Sequence, residues 1–258
     1  MSVHLKHVPP FLLVGITLLI GAATSLHRIR EWRATGKQLA LGVYGLFAYH
    51  LALFIALREA PAVEANLVNY LWPLLVVMLT PLFKHGQSLT SRHIAGALLA
   101  FVGAGLLVTG GKLDFQWQYA TGYGLALAAA IIWSTFSLMS SRMGETSTAQ
   151  VGLFCAVSGA LSLTAHFLLE REYSLVASDW PWLVALGIGP MGLAFFAWDA
   201  ALKRGDTRSI GLLSYLTPLL STLGLVLTGG GVFTPLSAIA MVLIIGGALI
   251  GTWPRRRA

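Results

Sequence analysis

The polar and aromatic residues whose spacing could serve chemistry are Asn69, Tyr70, Trp72 and Pro73 in one apolar run and Ser214, Tyr215 and Pro218 in another. The segments 69–75 and 214–220 lie 145 residues apart, and 56–75 laid on 201–220 without a gap is identical at 8 of 20 positions. The two are copies of one motif. In each copy a phenol stands three residues before a proline, on the same helix face. An amide or hydroxyl beside it offers hydrogen bonds, and Trp72 offers a stacking surface. Groups of this kind recognise a small molecule and break no bonds. Paired interruptions at corresponding places in two halves of an apolar chain point to a binding site for transport.

Further candidates follow from their position in apolar runs. Pro73 and Pro218 each remove a backbone hydrogen bond and clash one turn back; as a matched pair they read as a gating hinge, against the alternative of a static kink. Trp72 and, in another run, Trp133 carry indole N–H groups that need a partner or a wet cavity, as do the phenols of Tyr70 and Tyr215. The expectation is a cavity lining. Tyr49 and His50 sit together near the middle of a further run, where an ionisable group is a functional candidate by default; a hydrogen bond to a neighbour is the simpler role for His50. Asp199 is expected in an interfacial salt bridge with Lys203, Glu64 to reach water, and His166 and Cys155 to be structural.

These residues need helices of membrane length to hold them. The 258 residues are 56% hydrophobic and only 10% charged, with 17 Lys and Arg against 10 Asp and Glu. Soluble domains carry about 25% charge, so the composition is that of an integral membrane protein. The basic residues occur in short bursts between apolar runs, without the stripe that nucleic-acid binding needs. Nine segments reach the length of a helical span: 10–27, 39–57, 62–83, 93–110, 121–140, 149–169, 181–202, 209–229 and 236–253. Alternate connections hold 13 of the 17 basic residues, from Arg28, Arg30, Arg33 and Lys37 to Arg255, Arg256 and Arg257; the others hold Lys6, Arg58, Lys112 and Arg171. The positive-inside rule then places the C-terminus in the cytoplasm and the N-terminus of this chain outside.

The 145-residue offset maps spans two to four onto seven to nine, and span one onto six. Span five has no mate in the chain. The expected architecture is therefore all-α and membrane-integral, a ten-span transporter fold of two five-helix repeats. The odd number of spans inverts one repeat relative to the other. Residues 1–120 would hold four helices of the first repeat, its first helix missing, and residues 121–258 the whole second repeat. Gly96, Gly103, Gly105, Gly246, Gly247 and Gly251 recur in the last helix of each repeat and read as close-packing positions. No Walker lysine motif, His-Glu-x-x-His or cysteine pair is present, so neither cofactor nor metal is expected. Ser158-Gly159 resembles a fragment of an intramembrane serine protease site, but Ala156 stands where glycine is expected. An intramembrane enzyme or a receptor is the remote alternative: no cluster of nucleophile, acid or metal ligands appears, and no connection exceeds about ten residues.

The string from Glu64 to Pro73, with Ser214-Tyr215-Leu216-Thr217-Pro218, resembles the aromatic amino-acid exporters of the YddG type, in the EamA branch of the drug/metabolite transporter superfamily. The likeness runs through most of the chain. It implies ten helices in two inverted repeats, and export of aromatic and other neutral amino acids across the bacterial inner membrane by alternating access. Export of drugs or other metabolites is the alternative within that superfamily. It also implies a central cavity lined by Tyr49, His50, Tyr70, Trp72, Trp133, Ser214 and Tyr215, to which Asn69 is added from the motif itself, with Pro73 and Pro218 in the helices that open and close. The missing first helix departs from the family pattern. The partners implied are a small-molecule substrate and the lipid bilayer.

Overall fold

The structure, a computed structural model, describes residues 5, 7–143, 146–227, 232 and 234–253. Lys6, Arg255, Arg256 and Arg257 of the charge pattern, and positions 228 and 229 at the end of the eighth expected span, lie outside these residues. The chain is helical, with no strand among the described residues. In order come α1 (Pro10–Ala23), α2 (Gly36–Val43), a π-helical turn (Tyr44–Ala48), α3 (Tyr49–Glu59), α4 (Ala62–Asn69), α5 (Trp72–Phe83), α6 (Ser91–Thr109) and α7 (Ala120–Ser140). Then follow α8 (Gln150–Leu169), α9 (Trp180–Ile188), a second π-helical turn (Gly189–Leu193), α10 (Ala194–Arg204), α11 (Thr207–Leu213), α12 (Leu216–Leu227) and α13 (Pro235–Thr252). Among the described residues, seven helical stretches are long and apolar enough to cross a membrane: Gly36–Glu59, Ala62–Phe83, Ser91–Thr109, Trp117–Ser140, Gln150–Leu169, Ala177–Arg204 and Pro235–Thr252. Helix α1 is apolar but shorter. It stops at Ala23, four residues before its expected end, and a 3-10 turn from Leu26 to Glu31 carries the first arginines.

Local sequence explains the helix starts. Thr35 and Gln38 satisfy one another's backbone N–H groups at the head of α2, as Thr234 and Ser237 do at α13. Asp206 accepts from the Arg208 N–H at the start of α11. Proline occupies the first or second position of α1, α5, α9 and α13, where its missing N–H costs nothing.

The chain folds into two compact units, residues Met1–Phe54 with Met139–Arg204, and Ile55–Leu138 with Gly205–Ala258. Each takes helices from both halves of the sequence. In the first unit α1 lies antiparallel to α8: the Phe11 N–H reaches Glu170, Gly15 lies against Leu163, and Ser25 lies against Gly152. In the second, α6 runs antiparallel to α13, with Gly96 against Gly247 and Gly251 and Gly103 against Ala240 and Ile244. Helix α5 likewise runs antiparallel to α11, from Thr80 beside Thr207 (3.2 Å) to Pro73 beside Gly211. The first two pairs join helices that the 145-residue offset makes equivalent, whereas α5 and α11 are opposite halves of equivalent spans, since the offset maps α5 onto α12 and α4 onto α11.

Three acidic residues depart from or refine expectation. Glu64 does not reach water: it is 8% exposed, and its carboxylate accepts from the Asp114 N–H (3.3 Å). Asp199 pairs with Lys203 (2.7 Å) as expected, but both side chains are buried, and Ser140 donates to Asp199 as well (3.0 Å). Buried charge persists where such partners surround it. Glu170 is buried beside His166 (2.9 Å) and accepts from the Phe11 and Leu12 N–H groups, so it anchors the start of α1; His166 is structural in that sense.

Candidate functional site

Both motif copies sit at breaks in their helices, within the second unit. Helix α4 ends at Asn69, the chain turns through Tyr70 and Leu71, and α5 starts at Trp72 with Pro73 in its first turn. Helix α11 ends at Leu213, the chain turns through Ser214 and Tyr215, and α12 starts at Leu216 with Pro218 in its first turn. The prolines therefore lie just past a discontinuity and not inside a bent helix. Each break is tightened by short-range bonds, Leu71 N–H to Val68 C=O (3.1 Å) in one and Thr217 N–H to Ser214 C=O (3.0 Å) in the other.

The breaks meet through Tyr215. In an unbroken helix the Leu74 N–H would donate to the Tyr70 C=O. Here the Tyr215 hydroxyl stands between them: it accepts from the Leu74 N–H (3.1 Å) and donates to the Tyr70 C=O (3.3 Å). Its ring is fully buried among Ala100, Ala104, Leu219 and Ile244, with Phe101 at 6.4 Å. Tyr70, its counterpart in the repeat, is half-buried. The sequence makes these two tyrosines equivalent; the structure gives Tyr215 the task of holding the other copy's break. No signal in a single sequence distinguishes them, because the bond joins residues 141 positions apart.

Around the break, Trp72 stands edge-on to Trp133 of α7 (centroids 6.3 Å apart, planes at 82°), and Trp133 packs on Phe136 (5.5 Å). Asn69 is buried at the end of α4. The Ser214 hydroxyl donates to the Ile210 C=O of its own helix (2.7 Å). The structure thus gathers Tyr70 and Tyr215 at one break and Trp72 and Trp133 in one edge-on pair.

Tyr49 and His50 belong to the first unit, directly after the π-helical turn of residues 44–48. Their rings lie 5.0 Å apart, and Phe54 and Phe195 complete an aromatic surround of His50. His50 is buried, and its Nδ1 bonds the Leu46 carbonyl. A carbonyl only accepts, so Nδ1 carries the proton and Nε2 of the neutral ring is an acceptor. Among the described residues no group of His, Cys, Asp and Glu could hold a metal ion.

Apolar helices of membrane length, one of them broken at aromatic and polar residues and matched by a like break between α11 and α12, fit a multi-pass membrane transporter. The chain belongs to the EamA-like transporter family, whose model matches residues 1–109 and 120–253. It is 43% identical over 262 residues, 97% of this chain and 90% of the relative, to the aromatic amino acid exporter YddG of Ancylobacter novellus. A probable amino-acid metabolite efflux pump of Escherichia coli is 28% identical over 99% of this chain and 89% of its own length. A solved crystal structure 42% identical superposes with a TM-score of 0.95 over 99% of this chain and 91% of that one. The chain is a transporter and not an enzyme.

Proposed function

We propose that the protein exports aromatic and other neutral amino acids across the bacterial inner membrane by alternating access. The observation that carries this reading is the aromatic and polar cluster at the helix breaks, in a chain 43% identical to an aromatic amino acid exporter. Trp72, Trp133 and Tyr70 would stack on an aromatic side chain, while Asn69 and Ser214 address the amino and carboxylate groups. Tyr215 serves the same site by fixing the break that carries Tyr70 and Trp72. In the first unit, Tyr49 and His50 are separate candidate substrate contacts on the strength of the family resemblance alone, with the His50 Nε2 able to accept from an ammonium group. Each aromatic contact contributes about 0.5–1.5 kcal/mol beyond burial, enough to bias selectivity toward aromatic substrates without making it strict. The relative described as a probable amino-acid metabolite efflux pump favours that breadth.

The antiparallel packing of equivalent helices supports two inverted five-helix repeats, with nine spans in this chain. Pro73 and Pro218, in the first turns after the breaks, are the proposed hinges: the helical ladder is already interrupted there, so a pivot disrupts fewer backbone bonds than it would in a continuous helix. The basic-residue bias supports a cytoplasmic C-terminus. In proteoliposomes loaded with labelled phenylalanine, protein-dependent efflux is expected, competed by tryptophan, tyrosine and leucine more than by charged amino acids. Efflux no faster than from protein-free vesicles would contradict the reading.

A further inference from the structure

One end of the second unit holds a cavity of about 500 Å³ where the α5–α6 connection, the start of α11 and the end of α13 come together. Arg92, His93, Asp206, Arg208 and Trp253 line it. Arg208 is committed: its Nε and Nη2 reach Asp206 (2.9 and 2.7 Å), and its Nη1 donates to the Ser88 carbonyl. Partial burial pushes the Asp206 carboxyl up, but the hydrogen bonds from Arg208 outweigh it and leave the group below the usual carboxylate range. That pair is an internal neutral unit. The Nδ1 of His93 is taken by the Thr90 N–H at the head of α6 (3.1 Å). Arg92, in contrast, has no hydrogen bond or ion pair among the described residues. The cavity therefore holds an uncompensated guanidinium beside the positive end of a 19-residue helix.

A second, apolar cavity of about 460 Å³ adjoins the first and shares Arg92 and Trp253 with it. Its remaining wall is Gly246, Leu249 and Ile250. With Trp253 these residues are spaced three, four and seven apart, so they form one face of α13. Leu249, Ile250 and Trp253 are all exposed. Gly246 forms the floor, because a Cβ added there would meet no atom closer than 3.9 Å. A free phosphate would use only the polar cavity. A groove that starts at a cationic pocket and runs along a spanning helix fits a molecule with an anionic head and a hydrocarbon tail.

We propose that this end of α6 and α13 binds one anionic phospholipid, its phosphate at Arg92 and one acyl chain along the face from Gly246 to Ile250. Trp253 sits where head and tail join, the level at which indole rings settle in bilayers. In the sequence Arg255, Arg256 and Arg257 follow Trp253 directly, and a basic run just past a span attracts anionic lipid.

Native mass spectrometry of the full chain, exchanged from detergent containing phosphatidylglycerol, phosphatidylcholine or glycerol 3-phosphate, tests this. The wild type is expected to retain a single phosphatidylglycerol in preference to phosphatidylcholine, and to retain no glycerol 3-phosphate. Arg92→Gln, which removes one cation at the membrane surface, is expected to lower retention about fivefold. Gly246→Leu, which fills the groove where space is open, is expected to lower it by a similar factor. Equal retention of the two lipids, retention of glycerol 3-phosphate alone, or unchanged phosphatidylglycerol in both variants would each overturn the proposal. Both substitutions fall at positions with open space or exposure, and an unshifted monodisperse elution profile for each identifies a folded protein.

Discussion

Tyr215→Phe is expected to lower the stability of the protein by about 1–3 kcal/mol, although it deletes a single oxygen. The hydroxyl satisfies two backbone groups at once, the Leu74 N–H and the Tyr70 C=O. Phenylalanine keeps the ring in its pocket against Phe101 and Ile244 but leaves both groups without that partner. In a membrane interior no water takes the place of a lost partner, so the cost falls on the break itself. Tyr70→Phe is the control: that side chain is half-buried, and its hydroxyl bridges no backbone break. Thermal unfolding in detergent should show Tyr215→Phe melting well below both the wild type and Tyr70→Phe. Equal melting of the two variants would contradict the bridging role. Because Trp72 begins the half-helix that this bond holds, Tyr215→Phe is also expected to slow transport with a broad range of substrates, and not to alter the preference among them.

A second large effect is expected from neighbouring glycines that the sequence does not tell apart. A Cβ at Gly247 would lie 2.5 Å from the Gly96 carbonyl oxygen and 2.7 Å from the Ala100 nitrogen. Both are backbone atoms of α6 and cannot rotate away. A Cβ added at Gly96 would in return lie 2.5 Å from the Gly247 carbonyl oxygen, so the two main chains approach too closely for a side chain on either glycine. Small residues permit such approach in membranes, where packing replaces the hydrophobic effect as the force joining helices. Gly247→Val therefore separates α6 from α13, at a cost at or above the usual 1–3 kcal/mol or so of overpacking, and should sharply reduce the yield of monodisperse protein. Gly246→Val, one residue earlier, adds its methyl groups to open space and should behave as the wild type. Melting temperatures that agree between the two variants would contradict the close packing.

Much of the fold was legible because it rests on local quantities. The lengths of apolar runs gave helices such as α6 and α8 within two residues at their ends, and the prolines and the repeat located both helix breaks. What was hidden depends on contacts across the chain. Glu64 reads as a water-facing charge until Asp114, 50 residues away, is seen to cap it. Asp199 and Lys203 read as interfacial because both lie close to residue 202, where their expected span ends, yet the fold buries both side chains and brings Ser140 onto Asp199. The difference between Tyr70 and Tyr215 was hidden for a deeper reason: a repeat makes two residues alike in sequence, while only one can fill a given space between the copies. At the candidate site the sequence supplied the residue types, and the edge-on Trp72–Trp133 pair came from the structure alone.

The central claim is that the aromatic groups at the first break contact the substrate. Its most direct test is efflux of labelled phenylalanine and tryptophan from proteoliposomes containing the wild type, Trp72→Ala or Tyr70→Ala at equal amounts of folded protein. Loss of one aromatic contact should slow efflux of both substrates about twofold to tenfold, with Trp72→Phe retaining most of the wild-type rate. Unchanged rates in both alanine variants would contradict the account.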